Sequence, residues 1–412
     1  MHFICTNQKK VLTLQSVFET TKMKYDFDEV ICRKGSACYK WDSEQVGDCL
    51  PLWVADMDWK AAPPILAAMQ RRLDHGVFGY ECVPDAYYEA VSNWFSRRHG
   101  WHGIRKEQLI CTIGVVPALA AVLRAMSRAG DPILMNTPAY NCFFDCINNL
   151  ETKLIDQPLV VRNNHYDIDF DDFAKKCRKA KIFILCNPHN PTGRIWTREE
   201  LATISRICEE NHVFVIADEI HCEFEFPGEH YTPYATVAQS NNYCILTAAS
   251  KAFNIAGLQC ANIFVPDPVN YFRINHVILT HEIGGVNPFG VEALMAAYNE
   301  SEDWIDQLNE YIFTNYRYLA GILHEHLPEL GVTRMEGTYL AWIDVSAWNI
   351  SSQQLCSELV QQEHVLFNPA EMYGSDHHIR INMACPRSIL QQALERLVDY
   401  AKKNNQTTNQ PK

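Results

Sequence analysis

Between about Gln108 and Pro266, short apolar runs alternate with stretches whose apolar residues recur every three or four positions. QLICTIG, DPILMN, KLIDQPLVV, KIFILC, VFVIADEI, YCIL and CANIFV have the apolar and β-branched density of strands. Helical stretches lie between them: PALAAVLRAMSRAG, which reaches a glycine at Gly130, a segment after TPAY, DFDDFAKKCRKA, and TREELATISRICEEN. The last opens with Thr197 and has Glu200 three residues on, the spacing of a capping box. The strand runs are too continuously apolar for one wet face. They predict an α/β fold with a large, mainly parallel sheet covered by helices on both sides.

From about Ser301 the pattern changes. Long helical stretches give way to TYLAWIDV, QQLCSELVQQEHV and HHIRINMA, a smaller α+β domain completed by the segment before about Ala61. The expected division is a large domain at 61–300 and a small domain built from 25–60 with 301–402. An N-terminal extension at 1–24 and a tail at 403–412 flank them. The extension has no apolar core of a secretory signal, and Met23 offers an alternative start.

Composition narrows the functions. The chain has 412 residues, 47% hydrophobic and 21% charged, with a formal net charge of -13. That balance opposes a phosphate-backbone partner such as nucleic acid. No uncharged apolar run is long enough for a membrane span. Sixteen cysteines are scattered with no CxxC pair, many in apolar contexts, and read as reduced thiols of a cytoplasmic protein. Sixteen dispersed histidines offer no structural zinc spacing, so no metal is expected.

In parallel sheets, ligands bind beyond the carboxyl ends of strands. Four post-strand loops therefore stand out: Gly114-Val115-Val116, Thr137-Pro138-Ala139-Tyr140, Asn187-Pro188-His189-Asn190, and Asp218-Glu219. Lys251 is a fifth candidate, set between YCIL and the apolar stretch after it. Each alone has an ordinary explanation: a cap, a turn, a core aromatic, a lysine whose stem is buried. Together they supply an amine for a Schiff base, a carboxylate for a pyridine nitrogen and an amide for a phenolate. An aromatic face for a ring and a helix start for a phosphate complete the set. Those are the needs of pyridoxal phosphate.

NPHNPTGR, ADEIH and SKAFNIAGLQ, in this order, resemble the fold-type I pyridoxal-phosphate enzymes of the class I/II aminotransferase superfamily. PLWVADMDW, FGY, GVVPAL, PAYNCFF, DEIH, GGVNPFG and IRINMACPR are similar to its MalY/PatB branch, the cystathionine β-lyase or C–S lyase type. The likeness runs from about Tyr25 to Lys402. It implies that Lys251 holds the cofactor and later moves the Cα proton, and that Asp218 pairs with the pyridinium. Asn190 would touch the ring oxygen and Tyr140 stack on the ring. Val115 and Val116 after Gly114, with Ser250, would bind the phosphate. Tyr80 would reach the neighbouring subunit's cofactor, implying a homodimer with shared sites, and Arg380 would clamp the substrate carboxylate. Two positions depart from the aminotransferase pattern: His221 stands where tyrosine is common, and Gln259 where a phosphate-binding arginine is common. Both suit the MalY/PatB branch. The implied function is β-elimination of a thiol from cystathionine or a related cysteine S-conjugate. An aminotransferase using the same residues is the alternative within enzymes, and a regulatory protein that keeps the fold for binding is the alternative outside them.

Overall fold

A computed structural model describes residues 24–408, so the expected extension at 1–24 lies outside the described residues except for Lys24. In chain order the strands are β1 (Leu50–Pro51), β2 (Leu109–Thr112), β3 (Pro132–Thr137), β4 (Lys153–Pro158), β5 (Val160–Arg162) and β6 (His165–Asp167). They continue with β7 (Ile182–Cys186), β8 (Phe214–Asp218), β9 (Tyr243–Thr247), β10 (Ala261–Phe264), β11 (Gly331–Val332) and β12 (Leu340–Asp344). The last three are β13 (Val365–Leu366), β14 (Asn368–Pro369) and β15 (His378–Asn382).

Seven strands form the large sheet in the order β2-β10-β9-β8-β7-β3-β4, and only β10 runs against its neighbours. The central strands alternate between two cores. Ile182, Ile184, Phe214, Ile216, Cys244 and Leu246 pack on one face with the helices Val115–Met126 and Pro268–Thr280. Phe183, Leu185, Val215, Ala217, Tyr243 and Ile245 pack on the other, against residues such as Trp94, Phe173, Leu201 and Leu294. Burial on both faces is why these strands read as unbroken apolar runs.

Local chemistry sets the ends of the elements. Thr197 and Glu200 exchange hydrogen bonds at the start of the helix Arg198–Glu210, as the capping box requires. The helix after Gly114 was expected to reach Gly130 but stops at Met126. There the Ser127 hydroxyl donates back to the Leu123 carbonyl at 2.6 Å, satisfying a helix-end acceptor early. KLIDQPLVV divides into β4 and β5 rather than running as one extended strand. The helix Arg387–Thr408 carries the chain into the stretch 403–412 that was expected to be tail.

The second sheet, β11-β12-β15-β14, is antiparallel. Strand β1 pairs in parallel with β13, joining the N-terminal segment to this half. Beyond β1 the chain crosses toward the large sheet, where Asn254 binds the peptides of Met57 and Trp59.

A charge cluster anchors this crossing. Lys40 is fully buried and its Nζ lies 2.8 Å from Asp58 and 3.7 Å from Asp56. Arg33 pairs with both aspartates at 2.8 Å, and the Trp41 indole donates to Asp58. These partners hold the Asp58 carboxyl below its usual range despite burial. Removing one member of a buried ion pair leaves the other uncompensated, a loss of about 3–5 kcal/mol. Asp58→Ala is expected to lower stability by about that amount in denaturant unfolding. Lys40→Met, which leaves Asp58 with Arg33 and Trp41, should cost clearly less.

Candidate active site

The parallel strands bring their carboxyl ends to one edge of the large sheet. Cys186 sits opposite Asp218 and Asp218 opposite Leu246, so the loops after β7, β8 and β9 start side by side. Asp218 ends β8 and is buried. Its Oδ1 accepts from the Ile220 amide at 3.2 Å, and no cation pairs with it among the described residues. Burial raises its carboxyl from the ordinary 3.8 to about 7, against the pull of that amide and of Lys251. Lys251 lies in the loop after β9. The residue as a whole is only partly buried, yet its Nζ donates to the Ala55 carbonyl at 2.7 Å. Desolvation, then the charge of Arg380, lowers its amine to about 8.

His221 is buried, and its Nδ1 has no hydrogen-bond partner among the described residues. Burial, then the charges of Lys251 and Arg380, lowers it to about 3, so the ring is neutral at ordinary pH. Arg380 projects from β15 and is buried at 3% exposure without an ion-pair partner among the described residues. Its Nη1 donates to Asn190 Oδ1 at 3.1 Å and its Nη2 to the Trp53 carbonyl at 2.9 Å. The guanidinium lies over the Tyr373 ring at 4.8 Å, and its Nε is unpartnered. A buried cation with a free donor and no counter-ion is built for an incoming anion.

Asn190 is buried beside Arg380, with no hydrogen bond from its Nδ2 among the described residues. Tyr140 precedes the helix Asn141–Asn149, and its hydroxyl is pushed far up by burial while feeling the Arg380 charge. Gly114 is the N-cap of the helix Val115–Met126, whose first amides have no intrahelical acceptor. Ser250 precedes Lys251 and is partly buried. Tyr80 is the exception: it stands fully exposed between the helices Pro63–His75 and Asp85–His99.

The expected pyridoxal phosphate can be tested against these atoms. Among the described residues Asp218 lacks a paired cation, His221 Nδ1 and Arg380 Nε lack partners, and the helix start at Gly114 offers free amides. A cationic pyridine ring, a ring oxygen, a carboxylate and a phosphate complete those valences. The residues present fit the group.

Several residues at this site were not singled out in the sequence. The crossing segment presents five successive carbonyls, Trp53 to Met57, and a side chain donates to every one. Trp53 receives Arg380 and Asn368, Val54 and Asp56 receive Asn382, Ala55 receives Lys251 and Tyr339, and Met57 receives Arg33 and Asn254. PLWVADMDW and IRINMACPR contain most of these residues, but periodicity cannot show which carbonyl meets which donor. His99, Cys222 and Glu223 also place ligand atoms within 4.8 Å of one another. Glu223 is already engaged by Arg98 at 2.7 Å and by the Trp94 indole at 2.7 Å.

Fold and site together define an enzyme of the fold-type I, aminotransferase-like class. The chain belongs to the aminotransferase class I and II family, whose model matches residues 56–397. It is 35% identical to the cystathionine β-lyase PatB of Bacillus subtilis over 382 residues, 90% of this chain and 98% of that protein. Identity to the MalY protein of Escherichia coli is 32%, over 91% of this chain and 98% of that one. The crystal structure of cystalysin from Treponema denticola, which contains a pyridoxal 5'-phosphate cofactor, superposes with a TM-score of 0.89 at 32% identity. It covers 92% of this chain and all (100%) of that one.

The raised Asp218 carboxyl has a measurable sign. The folded, cofactor-free chain holds this proton more tightly than the unfolded chain. The contribution is therefore full below about pH 4 and is lost as pH rises through about 7. Asp218→Asn keeps an acceptor for Ile220 and cannot ionise. In urea unfolding of the cofactor-free chain it should match wild type near pH 4 and exceed it at pH 8, by on the order of 4 kcal/mol.

Proposed function

We propose that the protein is a pyridoxal-phosphate-dependent carbon–sulfur β-lyase acting on cystathionine or a related cysteine S-conjugate. The observation that carries this reading is the convergence of a desolvated amine, a cation-seeking carboxylate and an uncompensated guanidinium at one sheet edge, in a chain that aligns over 90% of its length with a cystathionine β-lyase. Lys251 would hold the cofactor by its amine, Asp218 would pair with the pyridine nitrogen, and Asn190 and His221 would serve the ring oxygen. Tyr140 would cover the ring, and Gly114, Val115, Val116 and Ser250 would bind the phosphate. When bound, the cofactor supplies an electron sink for the carbon next to the substrate amine.

The chain's own residues do the rest. Arg380 takes the substrate carboxylate in two parallel hydrogen bonds and fixes the Cα–H direction. Lys251, lowered to about 8, is partly neutral near pH 7–8 and can accept the Cα proton. Beside a cationic ring Asp218 would be ionised. His221 remains neutral and can take either side of a hydrogen bond without adding charge. The balance is a cysteine S-conjugate plus water giving thiol, pyruvate and ammonium. We assign residues 61–300 to the cofactor-binding domain and 25–60 with 301–402 to a small domain that carries Arg380. A homodimer, in which the exposed Tyr80 reaches the partner's phosphate, a cytoplasmic location and a part in methionine biosynthesis complete the proposal. Among the described residues no helix is long and apolar enough to cross a membrane.

The family name keeps transamination in view. Incubation with cystathionine and no keto acid should release pyruvate, ammonia and thiol in equal amounts. On the same preparation, transfer of the amino group to 2-oxoglutarate should be minor. Fast transfer with negligible ammonia would replace the lyase reading with an aminotransferase.

The shared site has its own test. Inactive Tyr80→Ala and inactive Lys251→Ala proteins, mixed under conditions that exchange subunits, should recover part of the activity. No recovery despite proven exchange would remove Tyr80 from the partner's site.

A further inference from the structure

Among the described residues the Lys251 amine makes one hydrogen bond, and its acceptor is shared. The Ala55 carbonyl accepts from Lys251 Nζ at 2.7 Å and from the Tyr339 hydroxyl at 3.0 Å. A carbonyl oxygen has two lone pairs, so both are committed. Tyr339 is fully buried, and burial keeps it a phenol throughout the working pH range. Toward a carbonyl it can only donate. Its ring stands edge-on to Phe224 at 4.8 Å and to His221 at 5.8 Å, which fixes where the hydroxyl points.

The carbonyl is fixed too. Asn382 uses both amide hydrogens on the neighbouring carbonyls, Val54 at 2.5 Å and Asp56 at 2.6 Å. Its Oδ1 accepts from the Ala384 amide. The Ala55 peptide therefore cannot swing away from the lysine without breaking bonds on both sides.

We propose that Tyr339 is a positioning residue for the amine of Lys251: it occupies the second lone pair of the Ala55 carbonyl and so sets where the uncombined amine rests and how readily it gives up its proton. This inference rests on the reading of Lys251 as the residue that accepts the Cα proton. Two consequences follow from the geometry. One N–H of the amine is committed to Ala55, so the lone pair of its neutral form is turned away from the crossing segment, on the side left for substrate. The positive end of the Tyr339 hydroxyl lies beside the amine and competes for the same oxygen, which disfavours the ammonium form. Around the amine, Arg380 opposes its charge, while Asp56, Asp218 and Cys142 favour it; His221 is neutral.

Tyr339→Phe deletes the hydroxyl and keeps the ring packing. The first readout needs neither cofactor nor turnover. Competitive labelling of the full-length, cofactor-free protein with acetic anhydride across pH 6–10 gives the ionisation midpoint of Lys251 by peptide mapping, with exposed Lys60 as internal reference. Wild type should show a midpoint near 8, and Tyr339→Phe should shift it upward by about half a unit, roughly a threefold drop in the neutral fraction at pH 7. The second readout is on the loaded enzyme with cystathionine: kcat should fall about tenfold with KM within about threefold, and the acid limb of the kcat profile should move up in pH. Circular dichroism and thermal unfolding of the variant confirm that the comparison is between folded proteins. A Lys251 midpoint that coincides in the two proteins overturns the proposal, whatever happens to kcat. The labelling result does not depend on the reaction catalysed, so a failure of the lyase reading and a failure of this inference are told apart.

Discussion

Desolvation at the carboxyl ends of β8 and β9 is the constraint on which the site depends. The same burial raises Asp218 and lowers Lys251, moving an acid and a base toward each other around neutral pH. Neither is rescued by a close partner. For Lys251 the strongest charge effect comes from Arg380, which is itself buried without an ion-pair partner among the described residues. A cluster of this kind is destabilising for the chain alone. It becomes favourable when a cationic ring and a carboxylate supply what is missing. Binding energy and folding energy are coupled here, and the loaded protein should be the more rigid one.

Much of the fold was legible. Strands buried on both faces leave unbroken apolar runs, and β7, β8 and β9 fell where those runs are. The capping box at Thr197 located a helix start to the residue. Helix ends were less legible: Gly130 looked like a stop, but a serine hydroxyl closed the helix earlier. The division of KLIDQPLVV was hidden because both pieces are extended. At the site, the strand-end rule singled out Asp218 and Asn190 and the setting after YCIL singled out Lys251, and the structure places all three at or just after the ends of β7, β8 and β9. Tyr339, Asn254 and Asn382 were not found. Each acts through a contact with backbone far away in the chain, and nothing in local periodicity marks the partner.

In the proposed reading, the residues that handle the α-carboxylate and the Cα proton are common to elimination and amino transfer, so Arg380, Lys251 and Asp218 would serve either reaction and leave its branch to finer features. His221 is one such feature. A buried neutral imidazole offers a donor on one nitrogen and an acceptor on the other. Its free Nδ1 leaves that choice to whatever binds.

The crossing segment from Trp53 to Met57 has a consequence for how this protein tolerates change. It is held through carbonyl oxygens, which every residue type possesses. What sits on the side chains at Val54 and Ala55 matters little to those bonds, provided the backbone path is kept. The donors are another matter: Asn254, Asn368, Arg380 and Asn382 each use specific side-chain hydrogens. Variation should thus be lopsided, with drift permitted along the strand of peptide that passes over the lysine and strict identity demanded at the distant positions that grip it. The most exacting information about this loop is written outside the loop.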